Sequence, residues 1–83
     1  MREQTSTLTP RIRFRVERAD EIAAEHGLRG VVEKAHFFGL RHPVYSRVVK
    51  GDNWPGESFI ATVLAARPEH NFDSLFEVVE VAA

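Results

Sequence analysis

Eighty-three residues with no cysteine make one small domain that must rest on packing alone, which excludes disulfides, thiolate catalysis and cysteine-ligated zinc and leaves no room for a deep catalytic cleft. The net charge of −1 hides a division: ten Lys and Arg stand against six Asp and Glu up to Gly51, and one against six after it, so a basic part of +4 precedes an acidic part of −5. The longest uncharged apolar run, FIATVLAA at residues 59–66, is far short of the roughly 20 residues of a membrane span, and nothing at the amino end reads as a signal peptide, so a soluble cytoplasmic protein with no membrane partner is expected.

In chain order, residues 1–10 (MREQTSTLTP) are polar and aperiodic and are expected as a flexible tail, with the domain at residues 11–83. In RIRFRV, Ile12, Phe14 and Val16 alternate with Arg11, Arg13 and Arg15, the period of a half-buried strand. Ile12, Val16, Ala19 and Ala23 also fit one helical stripe, so the same stretch can lengthen the first helix. The strand is preferred because FEVVEV, residues 76–81, offers a β-rich partner at the other end of the chain. The class expected is therefore all-α in the main, five helices with room for a small two-stranded ribbon of the terminal segments.

From Glu17 a helix carries Ala19, Ile22, Ala23 and His26 on one face, acidic residues in its first turns and Gly27 as its C-terminal cap. A second helix is expected over about residues 30–38 and a third over residues 42–50, with Pro43 in its first turn, where a missing N–H costs nothing. GDNWPG, residues 51–56, is a loop, and Pro55 or Gly56 opens a fourth helix whose apolar face is Phe59, Ile60, Val63, Leu64 and Ala66 and which Pro68 stops. A short fifth helix, capped by Asn71, covers residues 73–76.

The densest signal lies in residues 31–51, VVEKAHFFGLRHPVYSRVVKG. Ala35 is small enough for two helices to cross, Gly39 turns the chain, and Leu40, Tyr45, Val48 and Val49 are left to pack back onto Ala35 and Phe38. This is helix-turn-helix spacing. The third helix then presents His42, Pro43, Ser46, Arg47 and Lys50, a polar and basic stripe of the kind that enters a major groove.

The AHFFGL elbow, the VYSRVVKG helix, NWPG followed by FIATVLAA, and the closing NFDSLF together resemble the lambda-repressor-like, Xre-type helix-turn-helix regulators, in particular small ones of actinobacteria and their phages. The resemblance spans about residues 17–76. It implies a sequence-specific regulator of transcription, a phage or prophage repressor, a Cro-like switch or a small chromosomal regulator, that inserts helix 42–50 into the major groove of double-stranded DNA, commonly as a homodimer. Three positions depart from the family's pattern. Arg41 and His42 stand where serine or threonine often caps the recognition helix, Lys34 replaces an aliphatic, and Tyr45 replaces a branched aliphatic.

Carried onto this chain, the family's geometry places base contacts at His42, Pro43, Ser46 and Arg47. Arg47 is the strongest, since a guanidinium bonding guanine O6 and N7 together is worth about 1 to 3 kcal/mol of discrimination. Phosphate contacts fall on Arg41, Lys50 and Asn53, on the Tyr45 hydroxyl, and on the backbone amides at Gly30 and Val31. A dimer surface is expected either on the exposed part of helices four and five or on the edge strands around Phe14 and Val79.

No catalytic residue, metal or cofactor is expected. His26, His36, His42 and His70 include no pair at the helical metal spacing, and no serine stands in a suggestive relation to a histidine. The alternative to a DNA regulator is a protein-interaction module on the same scaffold, such as a phage protein binding a host factor, with Trp54 as its anchor.

Overall fold

The computed structural model describes residues 8–82. The elements run β1 (Leu8–Phe14), α1 (Val16–Glu25), α2 (Val31–Phe37), α3 (His42–Lys50), α4 (Glu57–Ala66), α5 (Phe72–Leu75) and β2 (Phe76–Ala82). The all-α expectation is overturned. Five helices are joined by a two-stranded antiparallel sheet, so the domain is of mixed class.

The sheet belongs to the core rather than decorating a helical body. Register pairs Phe14 with Phe76, Ile12 with Val78 and Pro10 with Glu80, and the two phenylalanines, 2% and 1% exposed, seat the base of the ribbon among the helices. Phe14 lies at the centre of an aromatic cluster, its ring 5.2 Å from Phe59, 5.4 Å from Phe76, 5.9 Å from Phe38 and 6.1 Å from Tyr45. Burying such a ring is worth about 2 kcal/mol or more, and no position on a lengthened first helix supplies the opposing Phe76. This decides the competition between the two periods of RIRFRV: the chain is extended to Phe14, and helix begins at Val16. Opposed Arg13 and Glu77 form an ion pair on the ribbon's other face.

The ribbon also shortens the expected tail. Leu8, Thr9 and Pro10 are part of β1, opposite Ala82, Val81 and Glu80; the remainder of that tail, residues 1–7, lies outside the described residues.

Helix ends follow their local chemistry. Gly27 at φ 75° closes α1, with Leu28 N–H donating to Ala23 O at 2.9 Å. Asn71 caps α5, its side chain accepting from Ser74 N–H at 3.1 Å. That helix ends at Leu75, one residue before the expected limit, because Phe76 is drawn into β2. Gly39, also at φ 75°, turns α2 into α3 while Leu40 N–H returns to Ala35 O at 2.8 Å. Ala35 is wholly buried at this crossing, and a side chain at Gly39 has no space: a Cβ there stands 3.0 Å from that of Ala66.

Candidate nucleic-acid interface

Helix α3 starts from Arg41, which is extended and makes no side-chain cap, and ends on Gly51 in the left-handed conformation, φ 86°. Tyr45 is buried, and Val48 and Val49 pack against the core. The inner stripe is thus filled. Arg41, His42, Pro43, Arg47 and Lys50 are exposed and Ser46 is half-buried, so the candidate base-reading residues share the outward side of one nine-residue helix. Val44, three residues before Arg47, joins them at 40% exposure. Sequence reasoning passed over it because nothing polar marks it; Tyr45 takes the inward place beside it.

Charge sets this helix apart from most of the molecule. Arg13 is paired with Glu77, Arg18 with Glu21, Lys34 with Asp20 and Arg67 with Glu69, while Arg15 donates to the carbonyl of Asp73 at 3.0 Å. Among the described residues no ion pair or hydrogen bond occupies the side chain of Arg41, Arg47 or Lys50, nor those of Arg29 just before α2 and of Arg11, which lies over the Trp54 ring. The first turns of α1, α2, α4 and α5 each carry an acidic residue, and that of α3 carries none. Its positive dipole end is therefore left uncompensated beside Arg41. Arg29 went unnoticed in the sequence because whether an arginine is free depends on which acids the fold brings to it.

Two departures from the family's pattern have local explanations. Lys34 reaches back to α1, its Nζ 3.0 Å from Asp20 Oδ1, with 20% of the side chain exposed, so its stem packs while its charge is satisfied. Tyr45 fills the aliphatic place with its ring, 1% exposed.

Several expected contacts are corrected. The Tyr45 hydroxyl is enclosed and has no hydrogen-bond partner among the described residues, so it cannot reach a phosphate; burial first, and the charge of Asp20 second, push its pKa up to about 12. At the start of α2 the Glu33 carboxylate accepts from the N–H groups of Gly30 and Arg29, both at 3.2 Å, and these bonds hold its pKa below the usual value. The amide of Gly30 is thus taken by a negative side chain that disfavours a phosphate there, which also counts against the site expected at Val31. Phe14 is core and offers nothing to a partner. Asn53 is exposed after α3, with its N–H on Arg47 O at 3.3 Å.

Of the other partner candidates, Trp54 is 45% exposed with the Arg11 guanidinium 6.0 Å from its ring centroid, and Val79 is half-buried on the ribbon. Among the described residues no group of three His, Cys, Asp or Glu side chains is placed to hold a metal, and no helix is long and apolar enough to cross a membrane.

Compared with family models, curated proteins and solved structures, the chain finds no match.

Proposed function

We propose that this protein is a sequence-specific regulator that binds double-stranded DNA by laying α3 in the major groove. The observation that carries the reading is the distribution of unpaired cations. Arg41, Arg47 and Lys50 line a helix with no acid in its first turn, whereas Arg13, Arg18, Lys34 and Arg67 are held by carboxylates. An α-helix with its side chains is about 10 to 12 Å across and fits a groove about 12 Å wide, and nine residues give α3 a length of about 13 Å. Arg47 reads guanine, Val44 and Pro43 meet thymine methyls, His42 and Ser46 bond base edges, and Arg41, Lys50 and Asn53 hold phosphates. The resemblance of the AHFFGL turn and the following helix to Xre-type regulators of phages and actinobacteria supports the same assignment, with a homodimer reading two half-sites about 34 Å apart.

The test is a selection of random duplex DNA by the purified protein at physiological salt, run beside Arg47→Ala. Enrichment of one motif that the variant relaxes at a single base position supports the reading. A folded wild-type protein that enriches nothing overturns it and favours the interaction module, whose support is the half-exposed Trp54.

A further inference from the structure

The terminal ribbon leaves the body of the domain with one edge closed and the other open, and this asymmetry can be read from a single hydrogen bond. Arg15 N–H donates to Leu75 O at 2.8 Å, which sets the alternation along both strands. The backbone groups of Arg13 and Arg11 on β1, and of Glu77 and Val79 on β2, point across the ribbon. Those of Pro10 and Ile12 on β1, and of Val78 and Glu80 on β2, point outward. Pro10 therefore falls where its missing N–H costs the ribbon nothing and where it removes a donor from the outer edge of β1. The outer edge of β2 has no such guard, and no backbone hydrogen bond occupies Val78 or Glu80 there among the described residues. Val78 is 65% exposed, whereas Phe76 two residues earlier is buried. Two strands by themselves are marginal in water, and the core contacts of this pair come from Phe14, Phe76 and Ile12.

The geometry points to a second copy of this chain as the occupant of that edge: β2 pairs antiparallel with β2 of its partner about a two-fold axis at Val79, giving a four-stranded sheet in the order β1-β2-β2-β1. Three features favour a copy of the same chain over another strand. First, Val79 is the middle residue of the seven in Phe76–Ala82, so the register that pairs the whole strand is the symmetric one. Second, that register sets each Glu80 opposite a Val78 and each Glu77 opposite a Val81, whereas centring on Glu80 opposes two carboxylates. Third, the assembled sheet ends on two β1 edges, each blunted by Pro10, so pairing stops at two chains instead of running on into a filament. On one face the two Val78 side chains then lie diagonally beside each other, each between its own Ile12 and Glu80 of the partner strand, which shields part of the most exposed valine among the described residues. This deepens the DNA reading, on which its biological use rests, by supplying the surface that joins two α3 helices.

The experiment uses the full chain without DNA, so that its outcome is independent of operator binding. Sedimentation equilibrium across the micromolar range is expected to give twice the chain mass of 9.4 kDa. Val78→Pro removes one outward N–H from each copy while sparing the β1–β2 ladder, and raises the dimer dissociation constant about tenfold or more. Because a proline variant can lose its fold, single cysteines in this cysteine-free chain give a second readout. Oxidised by glutathione disulfide, Val79→Cys should cross-link to a covalent dimer, since facing residues in a non-hydrogen-bonded antiparallel pair lie about 4.5 Å apart, whereas Val81→Cys, facing Glu77 of the partner strand, should stay single. A monomer throughout the range overturns the proposal, as does a dimer in which Val79→Cys cross-links no better than Val81→Cys. A monomer that still selects a DNA motif removes this dimer and leaves the DNA reading intact; a Val79-linked dimer that selects none does the reverse.

Discussion

The ring of Tyr45 lies nearly parallel to that of Phe38, centroids 6.2 Å apart and planes 14° from parallel, and this stack clamps α3 onto the end of α2 while enclosing a hydroxyl with no partner among the described residues. The ring stabilises the crossing and the hydroxyl opposes it, because a buried unsatisfied donor costs about 1 to 3 kcal/mol. Tyr45→Phe keeps the stack and removes the orphan. Chemical denaturation should show a variant at least as stable as the wild type, by about 1 kcal/mol, and DNA affinity should not change. A clear loss of stability would mean that the hydroxyl has a partner after all.

The same residue sets a limit at high pH. The phenol's pKa rises from its ordinary 10.0 to about 12 in the fold, so the folded chain holds the proton after the unfolded chain has released it. Its contribution is complete below pH 10 and is lost as pH climbs toward 12, about 2 kcal/mol in all. Wild-type protein should lose this stability over that window, and Tyr45→Phe should keep it.

Two glycines of identical backbone angle separate conformational cost from steric cost. Gly27 and Gly39 both sit at φ 75°, but a Cβ at Gly27 meets nothing within 4 Å, whereas one at Gly39 comes 3.0 Å from Ala66 Cβ and 3.3 Å from Thr62 Cγ2. Gly27→Ala should cost about 1 kcal/mol, the left-handed penalty alone, and Gly39→Ala about 2 kcal/mol or more, seen as a fall in Tm of about 10 °C. Equal losses would show that α4 yields to the added methyl.

Glu33 is an acid set beside the face that meets DNA in our reading. Its lowered pKa makes it a stabiliser above the usual carboxylate range, a contribution lost as pH falls through the folded value. Glu33→Gln should weaken the N-terminus of α2 at neutral pH and bring that variant's pH–stability curve closer to flat between pH 3 and 5, on the order of the carboxylate range. Titration of duplex DNA should find it binding a few-fold tighter, since a charge that repels phosphate is gone. Weaker binding would place DNA elsewhere.

Salt separates the two kinds of contact on α3. Lys50→Ala should weaken binding about equally on all sequences and lower the slope of log affinity against log salt by about 1, while Arg47→Ala should cost about 1 to 3 kcal/mol on the best site and much less on others. If both variants behave alike, Arg47 holds a phosphate and reads no base.

By itself the sequence determined the elements whose causes are local: the helical stretches, the turns at Gly27, Gly39 and Gly51, the Asn71 cap, and the outward placing of Arg47 and Lys50 opposite Val48 and Val49. Each follows from residues within one or two turns of each other, where periodicity and backbone freedom act. Only the tertiary structure decided that RIRFRV is extended as far as Phe14 and turns helical at Val16, that the Tyr45 hydroxyl is enclosed with its ring, that Glu33 closes the start of α2, and that Arg13 is held while Arg47 has no carboxylate among the described residues. Phe14 is paired with Phe76 from near the other end of the chain, Lys34 finds Asp20 on another helix, and an arginine is available to DNA only if no distant carboxylate has been folded against it. Those outcomes depend on which remote groups share a small, crowded volume, and a local pattern that fits two periods carries no information about that.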